Sequence, residues 1–361
     1  MGLPACKSCH IYHDKRVCAL IPGDGVGSEL VKSVQTVFNE MKIPVLLDEL
    51  FVSKHSERSI NDAIDAIQKY GLCLKTPFDN YEPAFTGPYQ NLNVRIRVVL
   101  NGYASVSHIK SIPGVRTRHD DVDFYIIREQ TETAHANLEH QSVKGVVECL
   151  QVATWQKSSR IAKFAFDYAT KLKRNSVVCV HKADVMRLSD GLFLNCCREV
   201  SKLYPRINLA SLEVDTAMKE LVSNPQKFDV LVMPNLYGNI ASNLGVGLIG
   251  GAGICAGATY SPECVIFEPA AHHTYAQATG KNIANPTGML LCAVKMLHHV
   301  NLGDYARQLQ SAVFSVLEEG KIRTRDVGGR ASTTQFTEEV IRHMQKMDGG
   351  VELNSEQNLI N

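Results

Sequence analysis

Residues 16–27 read RVCALIPGDGVG, and this stretch decides the fold class of the 361-residue chain. The run from Arg16 to Ile21 is apolar after its first residue and predicts a buried strand. PGDGVG predicts a turn, and Ser28 and Glu29 suit the start of a helix that ends near residue 41. This order of strand, turn and helix indicates an α/β protein.

The same alternation continues along the chain. Short apolar runs predict further strands at residues 44–51, 122–127, 176–181, 229–233 and 264–267. Longer amphipathic runs predict helices at residues 59–70, 158–172, 188–203, 286–299, 305–319 and about 337–346. Strands that are apolar throughout suit a sheet covered on both faces. We expect the proline-containing residues 76–91 to form a loop and the polar residues 348–361 to fray.

Composition and charge exclude several classes of partner. The chain is 45% apolar, and its 38 basic and 37 acidic residues leave a net charge of +1. A balanced surface gives no field for nucleic acid or anionic lipid. No apolar run approaches the roughly 18 residues of a membrane helix. The eleven cysteines are odd in number and lie mostly in apolar segments, which indicates buried free thiols in a reducing compartment.

Two short motifs have more than one interpretation. PGDGVG is similar to a dinucleotide-binding fingerprint, but its glycine spacing differs, which favours a tight structural turn. Cys6, Cys9, His10 and His13 include a CxxCH pattern that could attach haem or, with His13, bind zinc. They lie in a single copy near the N-terminus, which favours an incidental tail.

Polar residues follow three of the predicted strands. They are the segment 128–132 (REQTE), His181 with Lys182, and the segment 235–239 (NLYGN). Open α/β sheets place ligand sites at the carboxyl ends of strands. The pattern predicts a ligand site there, although solvated or paired side chains would give the same pattern.

Taken together, five segments carry a resemblance to a known family. IPGDGVGSEL, IREQTE, VHKADVMRLSDGLF, FDVLVMPNLYGNIASN and GKNIANPTGMLL follow one another in the order found in NAD-dependent isocitrate dehydrogenases. The resemblance extends from residue 17 to about residue 346. REQTE and the segment 320–326 (GKIRTRD) are more similar to the non-catalytic beta-type subunit than to the catalytic alpha type.

The resemblance implies the two-domain α/β fold of isocitrate and isopropylmalate dehydrogenases. It places residues 1–106 and 262–361 in a large domain. It places residues 107–261 in a small domain that includes a clasp for pairing with a second subunit. A cleft between the domains would hold isocitrate and a divalent metal.

The resemblance also implies roles for individual residues. Arg97 and Arg128 match two of the three arginines that clamp isocitrate, and guanidinium groups suit carboxylates. Lys182 matches the lysine that handles the hydroxyl proton, and Asp215 matches one metal-binding carboxylate. In dimeric members the neighbouring subunit supplies these last two groups. Lys182 and Asp215 are therefore expected to act in trans, in a partner's cleft.

Other matched positions are degenerate. The third arginine falls at Ser107, two metal-binding aspartates fall at Asn239 and Asn243, and the proton-donating tyrosine falls at His135. Because magnesium is held by carboxylates and water, two amides weaken its site. The resemblance thus predicts a non-catalytic structural or regulatory subunit. The alternative is an active decarboxylating dehydrogenase with an altered substrate or proton donor, since histidine can donate protons near neutral pH.

The resemblance finally implies cofactors, partners and location. Residues 268–277 depart from the active nucleotide-binding loop, so this chain is expected to bind NAD poorly, with Asn285 as one remaining candidate contact. NAD and Mg²⁺ or Mn²⁺ belong to the whole complex. The expected partners are a catalytic isocitrate dehydrogenase subunit and other regulatory subunits, in the mitochondrial matrix.

Overall fold

The computed structural model describes residues 11–12, 15–53, 56–79, 92–132, 138–270 and 273–357, with the backbone alone for residue 11 and from residue 348 onward. The strands are β1 (Ile11–Tyr12), β2 (Lys15–Ile21), β3 (Val45–Glu49), β4 (Leu72–Lys75), β5 (Ala104–Lys110), β6 (Asp123–Glu129), β7 (Glu139–Val143), β8 (Val146–Cys149), β9 (Ser176–His181), β10 (Asn208–Glu213), β11 (Val230–Met233), β12 (Ala256–Tyr260) and β13 (Val265–Pro269). The α-helices are α1 (Gly27–Glu40), α2 (Glu57–Tyr70), α3 (Leu92–Val99), α4 (Trp155–Lys171), α5 (Ser189–Ser201), α6 (Val214–Ser223), α7 (Asn235–Leu248), α8 (Thr287–His299), α9 (Gly303–Glu319) and α10 (Thr333–Gln357).

One large sheet of eleven strands organises the molecule. Its order is β1-β2-β4-β13-β12-β5-β6-β11-β9-β10, with β3 also paired to β2. The strands β3, β2, β4 and β13 run parallel to their neighbours in that group, as do β6, β11, β9 and β10 at the other end. Between them, β12 and β5 pair antiparallel with each other and with their outer neighbours. The predicted α/β class with a parallel-containing sheet is confirmed.

Helices cover both faces of this sheet. On one face, Ile60, Ile64 and Ile67 of α2 pack with Ile96 of α3 against apolar residues of β2, β4 and β13. A larger core includes α1, α4, α8 and α9 together with most of the sheet. The buried side chains of α1 recur every three or four residues, which is why this run forms an amphipathic helix. Of the helices in the described ranges, none is long and apolar enough to cross a membrane.

The structure also departs from the sequence-based predictions. The last helix, predicted to end near residue 346, continues to Gln357, so the prediction of a frayed tail from residue 348 is wrong over that part. Helices α3, α6 and α7 have no counterpart among the predicted elements. Residues 76–79 lack regular structure as predicted, and residues 80–91 lie outside the described ranges. The nine described cysteines are free thiols, and all except Cys149 are buried, as predicted.

Candidate functional site

Arg128 occupies the carboxyl end of β6, beside the start of α7. Strand register pairs Arg128 with Met233 of β11, so the chain that leaves β11 passes directly next to it. A Cβ atom at Gly238 would lie 2.4 Å from Cγ of Arg128. Only glycine at position 238 therefore lets the arginine side chain run along α7 to Asn239.

The guanidinium of Arg128 is a buried cation. Its side chain donates a 2.8 Å hydrogen bond from Nη1 to Oδ1 of Asn239, while its buried Nε has no acceptor among the described residues. No carboxylate among the described residues lies within 4.0 Å of it. Burial, followed by the charge of Arg97, lowers the pKa of Arg128 to about 9. A buried cation without a contacting carboxylate suits an anionic ligand.

A buried ion pair, which the sequence patterns did not reveal, lies beside Arg97. Lys75 Nζ at the end of β4 is 3.0 Å from Oε2 of Glu268 on β13, and both side chains are at most 4% exposed. Nε of Arg97 lies 3.9 Å from Oε1 of the same glutamate. Thr259 donates a 3.1 Å hydrogen bond to that oxygen. One available signal was a charged residue within each of two otherwise apolar strands.

Ser107 faces α7. Its hydroxyl donates a 3.2 Å hydrogen bond to the hydroxyl of Ser242, and both residues are buried. Ser107 lies on β5, two positions along the strand from Ser105, which is the partner of Arg128 in the sheet. The position expected to carry a third clamping arginine therefore carries an uncharged hydrogen bond between a strand and a helix.

Asn239 and Asn243 lie one turn apart on α7. Nδ2 of Asn243 donates a 2.9 Å hydrogen bond to the backbone carbonyl of Asn239. Both side chains are neutral amides, and the Oδ1 atom of Asn239 already accepts from the cationic Arg128. A divalent cation prefers charged oxygen ligands. This donor set does not fit a bound magnesium or manganese ion.

Lys182 follows β9 and lies within a group of carboxylates. Its Nζ atom is 2.9 Å from Oδ2 of Asp184, 3.2 Å from Oε2 of Glu213 and 3.3 Å from Oδ2 of Asp215. The parallel register of β10 and β9 pairs Glu213 with His181, which explains why residues 33 positions apart meet here. The hydrogen bond with Asp184 is the main cause that raises the pKa of Lys182.

Asp190 holds the backbone of this lysine in place. Its buried carboxylate accepts a 2.7 Å hydrogen bond from the amide of Lys182 and a 3.0 Å hydrogen bond from the hydroxyl of Tyr237. The carboxylate of Asp215 is 65% exposed, and its pKa is lowered first by the amide of Thr216 and then by Lys182. In the Lys182–Asp215 pair, the backbone of Lys182 is therefore held in place while the carboxylate of Asp215 is exposed to solvent.

Exposed apolar side chains occur in two places: in the residues that follow Lys182 in the sequence, and on a separate hairpin. Val185 and Leu188, a few residues after Lys182, are 70% and 90% exposed. Strands β7 and β8 form a two-stranded hairpin that belongs to no other sheet, and all nine of its strand residues are exposed. The exposed apolar residues of this hairpin and its flanks are Leu138, Val143, Val146, Val147 and Leu150. Such patches mark surfaces that another protein covers.

The glycine-containing turn after β2 is structural, as the sequence favoured. A Cβ atom on Gly23 would lie 2.2 Å from the carbonyl of Pro77, and one on Gly25 would lie 2.0 Å from the carbonyl of Thr274. The amide of Val26 donates a 3.0 Å hydrogen bond to that carbonyl of Thr274. The glycines therefore let the turn pack against neighbouring backbone, and this amide is already bonded within the chain.

The described part of the nucleotide loop also shows internal bonding. Asn285 donates a 2.9 Å hydrogen bond to Asp326 and accepts one of 3.0 Å from the amide of Thr287. Tyr275 is half exposed and has a left-handed backbone with φ of +48°. Residues 271–272, His135, and Cys6, Cys9, His10 and His13 lie outside the described ranges.

Glu319, on α9, lies close to Glu339 and His343, on α10. Their possible metal-ligating atoms are within 4.8 Å of one another, and no other three acidic, histidine or cysteine side chains of the described residues meet that distance. None of these three was a candidate from the sequence. The residues matched to metal-binding positions, Asp215, Asn239 and Asn243, do not form such a group.

The large parallel-containing sheet, with helices on both faces and charged residues at its strand ends, places the chain in the α/β class. The family model for isocitrate/isopropylmalate dehydrogenase matches residues 17–340, and the chain belongs to this family. The chain is 46% identical over 338 residues to the beta subunit of mitochondrial NAD isocitrate dehydrogenase of Bos taurus, covering 91% of this chain and 86% of the relative. It is 47% identical over 334 residues to the corresponding beta subunit of Homo sapiens, covering 90% and 86%.

A solved structure supports the same assignment. The isocitrate dehydrogenase of Methylococcus capsulatus superimposes with a TM-score of 0.84 at 35% sequence identity, covering 91% of this chain and 99% of that one. The resemblance to the NAD-dependent isocitrate dehydrogenase family and its fold is therefore confirmed. The two beta-subunit relatives are mitochondrial proteins, as expected.

Proposed function

We propose that this chain is a non-catalytic structural and regulatory subunit of a mitochondrial NAD-dependent isocitrate dehydrogenase complex, located in the matrix. That complex converts isocitrate to 2-oxoglutarate in the tricarboxylic acid cycle. The chain completes the active site of a catalytic partner. One contrast carries the proposal: the Lys182–Asp215 pair is kept with its carboxylate exposed, while Asn239 in the chain's own cleft is an amide bonded to Arg128.

The chain's own cleft lacks the charges that the reaction requires. A divalent metal in this family of reactions polarises the substrate oxygen and stabilises the enolate. Asn239 and Asn243 supply neutral oxygens, and the nearby Arg128 is itself cationic. Repulsion by the guanidinium and the missing carboxylates both oppose metal binding. Decarboxylation in this cleft would have no electrostatic stabilisation of the developing negative charge.

Binding of substrate is a separate matter from turnover. Arg97 and Arg128 remain, and Arg128 is buried with no carboxylate of the described chain in contact. These two residues would hold carboxylates of isocitrate. The cleft can therefore bind the substrate as a regulatory ligand without converting it.

The trans residues are arranged for a neighbour. Lys182 Nζ and Asp215 Oδ2 are 3.3 Å apart, and Asp215 is the more exposed partner. In a partner's cleft Lys182 would handle the hydroxyl proton of isocitrate. Asp215 would add one carboxylate to the metal site there. Asp184 and Glu213 keep Lys182 charged and in place until the partner's ligands compete for it.

The assembly would use the exposed hairpin. We assign residues 1–106 and 262–361 to the large domain and residues 107–261 to the small domain, with β7 and β8 as the clasp. An isolated hairpin with exposed apolar side chains is marginal in water, and pairing with a second subunit would bury it. The catalytic subunit is the expected partner, and other regulatory subunits can join through their own contacts.

Turnover by the purified chain tests the proposal. The full chain, with isocitrate, NAD and Mg²⁺ present, should give no measurable 2-oxoglutarate, whereas the co-expressed complex should be active. Turnover by the chain alone in the range of ordinary enzymes, roughly 1 to 1,000 per second, would instead indicate the alternative. That alternative is an active dehydrogenase with an altered substrate or proton donor, with His135 as the candidate donor.

A further inference from the structure

A cavity of about 480 Å³ lies behind the sheet, on the face opposite to Ser107 and Arg128. Alternate residues of a strand point to opposite faces. Val106 and Ala258 of β5 and β12 therefore line this cavity, while Ser107 and Thr259 face the other way. Helices α4, α8 and α9 close the cavity with Tyr168, Val294 and Phe314. Its volume is in the range of small-molecule sites, about 300 to 1,000 Å³.

The walls of the cavity are apolar and aromatic, and all of their ionisable side chains other than tyrosine are basic. None of the twenty residues that line it is an aspartate or a glutamate. The basic lining residues are His108, Lys110, Lys171, Lys295, His298 and His299. The cavity therefore combines an apolar interior with a positive bias.

Most of this positive charge is paired or lies outside the interior. Lys110 is 3.4 Å from the carboxylate of Asp123, just outside the cavity lining, and burial keeps His108 neutral by lowering its pKa to about 3. Lys171 is exposed to solvent at the end of α4. Burial keeps His299 neutral by lowering its pKa to about 4. These groups offer little to a ligand inside the cavity.

Lys295 differs from these groups. Among the described residues, no acceptor forms a hydrogen bond with Nζ of Lys295, and no carboxylate oxygen lies within 4.0 Å of that atom. The ammonium lies 5.6 Å from the ring centroid of Tyr125 and makes a cation–π contact. Burial is the main cause that lowers the pKa of Lys295. A partly buried ammonium without a contacting carboxylate is costly, and a ligand carboxylate would reduce that cost.

We propose that this cavity binds a small amphiphilic monocarboxylate, with its carboxylate on Lys295 and its apolar chain against Val106, Ala258 and Phe314. A single interior cation matches a single negative charge, and a polyanion would leave further charges against apolar walls. The cavity and the substrate cleft share strands β5, β6 and β12 but lie on opposite faces. The ligand therefore does not compete with isocitrate for Arg128.

Octanoate is a suitable probe, and octanol is its neutral match. We expect octanoate to raise the melting temperature of the full chain and to bind in calorimetry, whereas octanol should do neither to a comparable extent. Lys295→Met should weaken octanoate binding by at least about tenfold, because it removes a charge-assisted hydrogen bond. Lys163→Met removes the same charge from an exposed position on α4 that does not line the cavity, and it should leave the affinity within about twofold.

Two outcomes would overturn the proposal. One is equal stabilisation of the wild-type chain by octanoate and octanol, which needs no variant to fold. The other is octanoate binding that Lys295→Met leaves unchanged. If Lys295→Met fails to fold, Ala258→Phe fills the cavity without changing its charge. It should abolish octanoate binding, and retained binding in that variant would place octanoate elsewhere and contradict the assignment.

Discussion

Arg128 donates a 2.8 Å hydrogen bond from Nη1 to Oδ1 of Asn239, and in our proposal this contact joins a position that binds substrate to a position that has lost its metal-binding carboxylate. An aspartate at position 239 would share its charge between a metal and this guanidinium. The Asn239 amide accepts the hydrogen bond but carries no charge to neutralise the guanidinium. The positive charge of Arg128 therefore remains available to a bound anion. The contact thus suits a cleft that binds a carboxylate and does not hold a metal.

Weak NAD binding is the first expected outcome. The amide of Val26 is bonded to Thr274, and Asn285 is bonded to Asp326 and Thr287, so these groups are not available to a nucleotide. Calorimetry on the isolated chain should show a Kd of about 1 mM or weaker, close to 4 kcal/mol. The catalytic complex serves as the positive control. A micromolar affinity for the isolated chain, about 8 kcal/mol, would show that the altered loop still binds the cofactor.

Asp215→Asn should act on the metal dependence of the partner. Removing one carboxylate from a magnesium site weakens it, and we expect the Mg²⁺ concentration for half-maximal activity of the complex to rise at least about tenfold. Asp304→Asn is the matched control, because Asp304 is an exposed carboxylate paired with Arg307 on α9. Titration of both complexes with Mg²⁺ makes the comparison. Identical curves would mean that Asp215 does not reach a metal.

Substitution of two glycines of α7 by alanine should change the free energy of unfolding in opposite directions. Gly238→Ala places a Cβ atom against Cγ of Arg128, so we expect the free energy of unfolding to fall by about 1 to 3 kcal/mol. Gly247 has no atom within 4 Å of its added Cβ, so Gly247→Ala should raise that energy by up to about 1 kcal/mol. Urea unfolding measures both. A loss at Gly238 no larger than the change at Gly247 would refute the close approach of Arg128.

His108 should make stability fall in mild acid. Burial lowers its pKa from 6.5 to about 3, so between these values the unfolded chain binds a proton that the native chain does not. The free energy of unfolding then falls as the pH falls, and His108 contributes about 2 kcal/mol of that loss between pH 7 and pH 5. His108→Gln should remove that share, while the similarly depressed His299 keeps its own. Urea unfolding at both pH values compares the two proteins, and an equal acid loss in each would contradict the assignment to His108.

Apolar periodicity predicted seven of the ten described α-helices but six of the thirteen described strands, because it identifies an element only where burial repeats along it. The strand at 176–181 and the helix at 305–319 agree with β9 and α9 to within two residues. Helix α7 was not predicted, since its polar Asn235, Asn239 and Asn243 break the apolar pattern and tertiary contacts, chiefly with β6, stabilise it. The hairpin of β7 and β8 was missed because its exposure removes the alternation that identifies a strand.

The site was predictable only in part. Motif matching named Arg128, Lys182 and Asp215, and the structure brings the last two together. The partner Glu213 could not be inferred, because the register of β10 against β9, and not sequence spacing, brings its carboxylate to the lysine. The pairing of Lys75 with Glu268 was missed for the same reason.

Turnover of the complex after Lys182→Met tests the trans role most directly. The variant chain is co-expressed with the catalytic subunit, and Lys202→Met, which removes an exposed lysine paired with Glu199, serves as the control. At matched assembly, checked by sedimentation, Lys182→Met should lower turnover by roughly 100-fold or more, as expected for a lost acid–base group. Lys202→Met should leave turnover unchanged. Normal turnover by an intact complex that carries Lys182→Met would contradict the proposal that this chain completes its partner's active site.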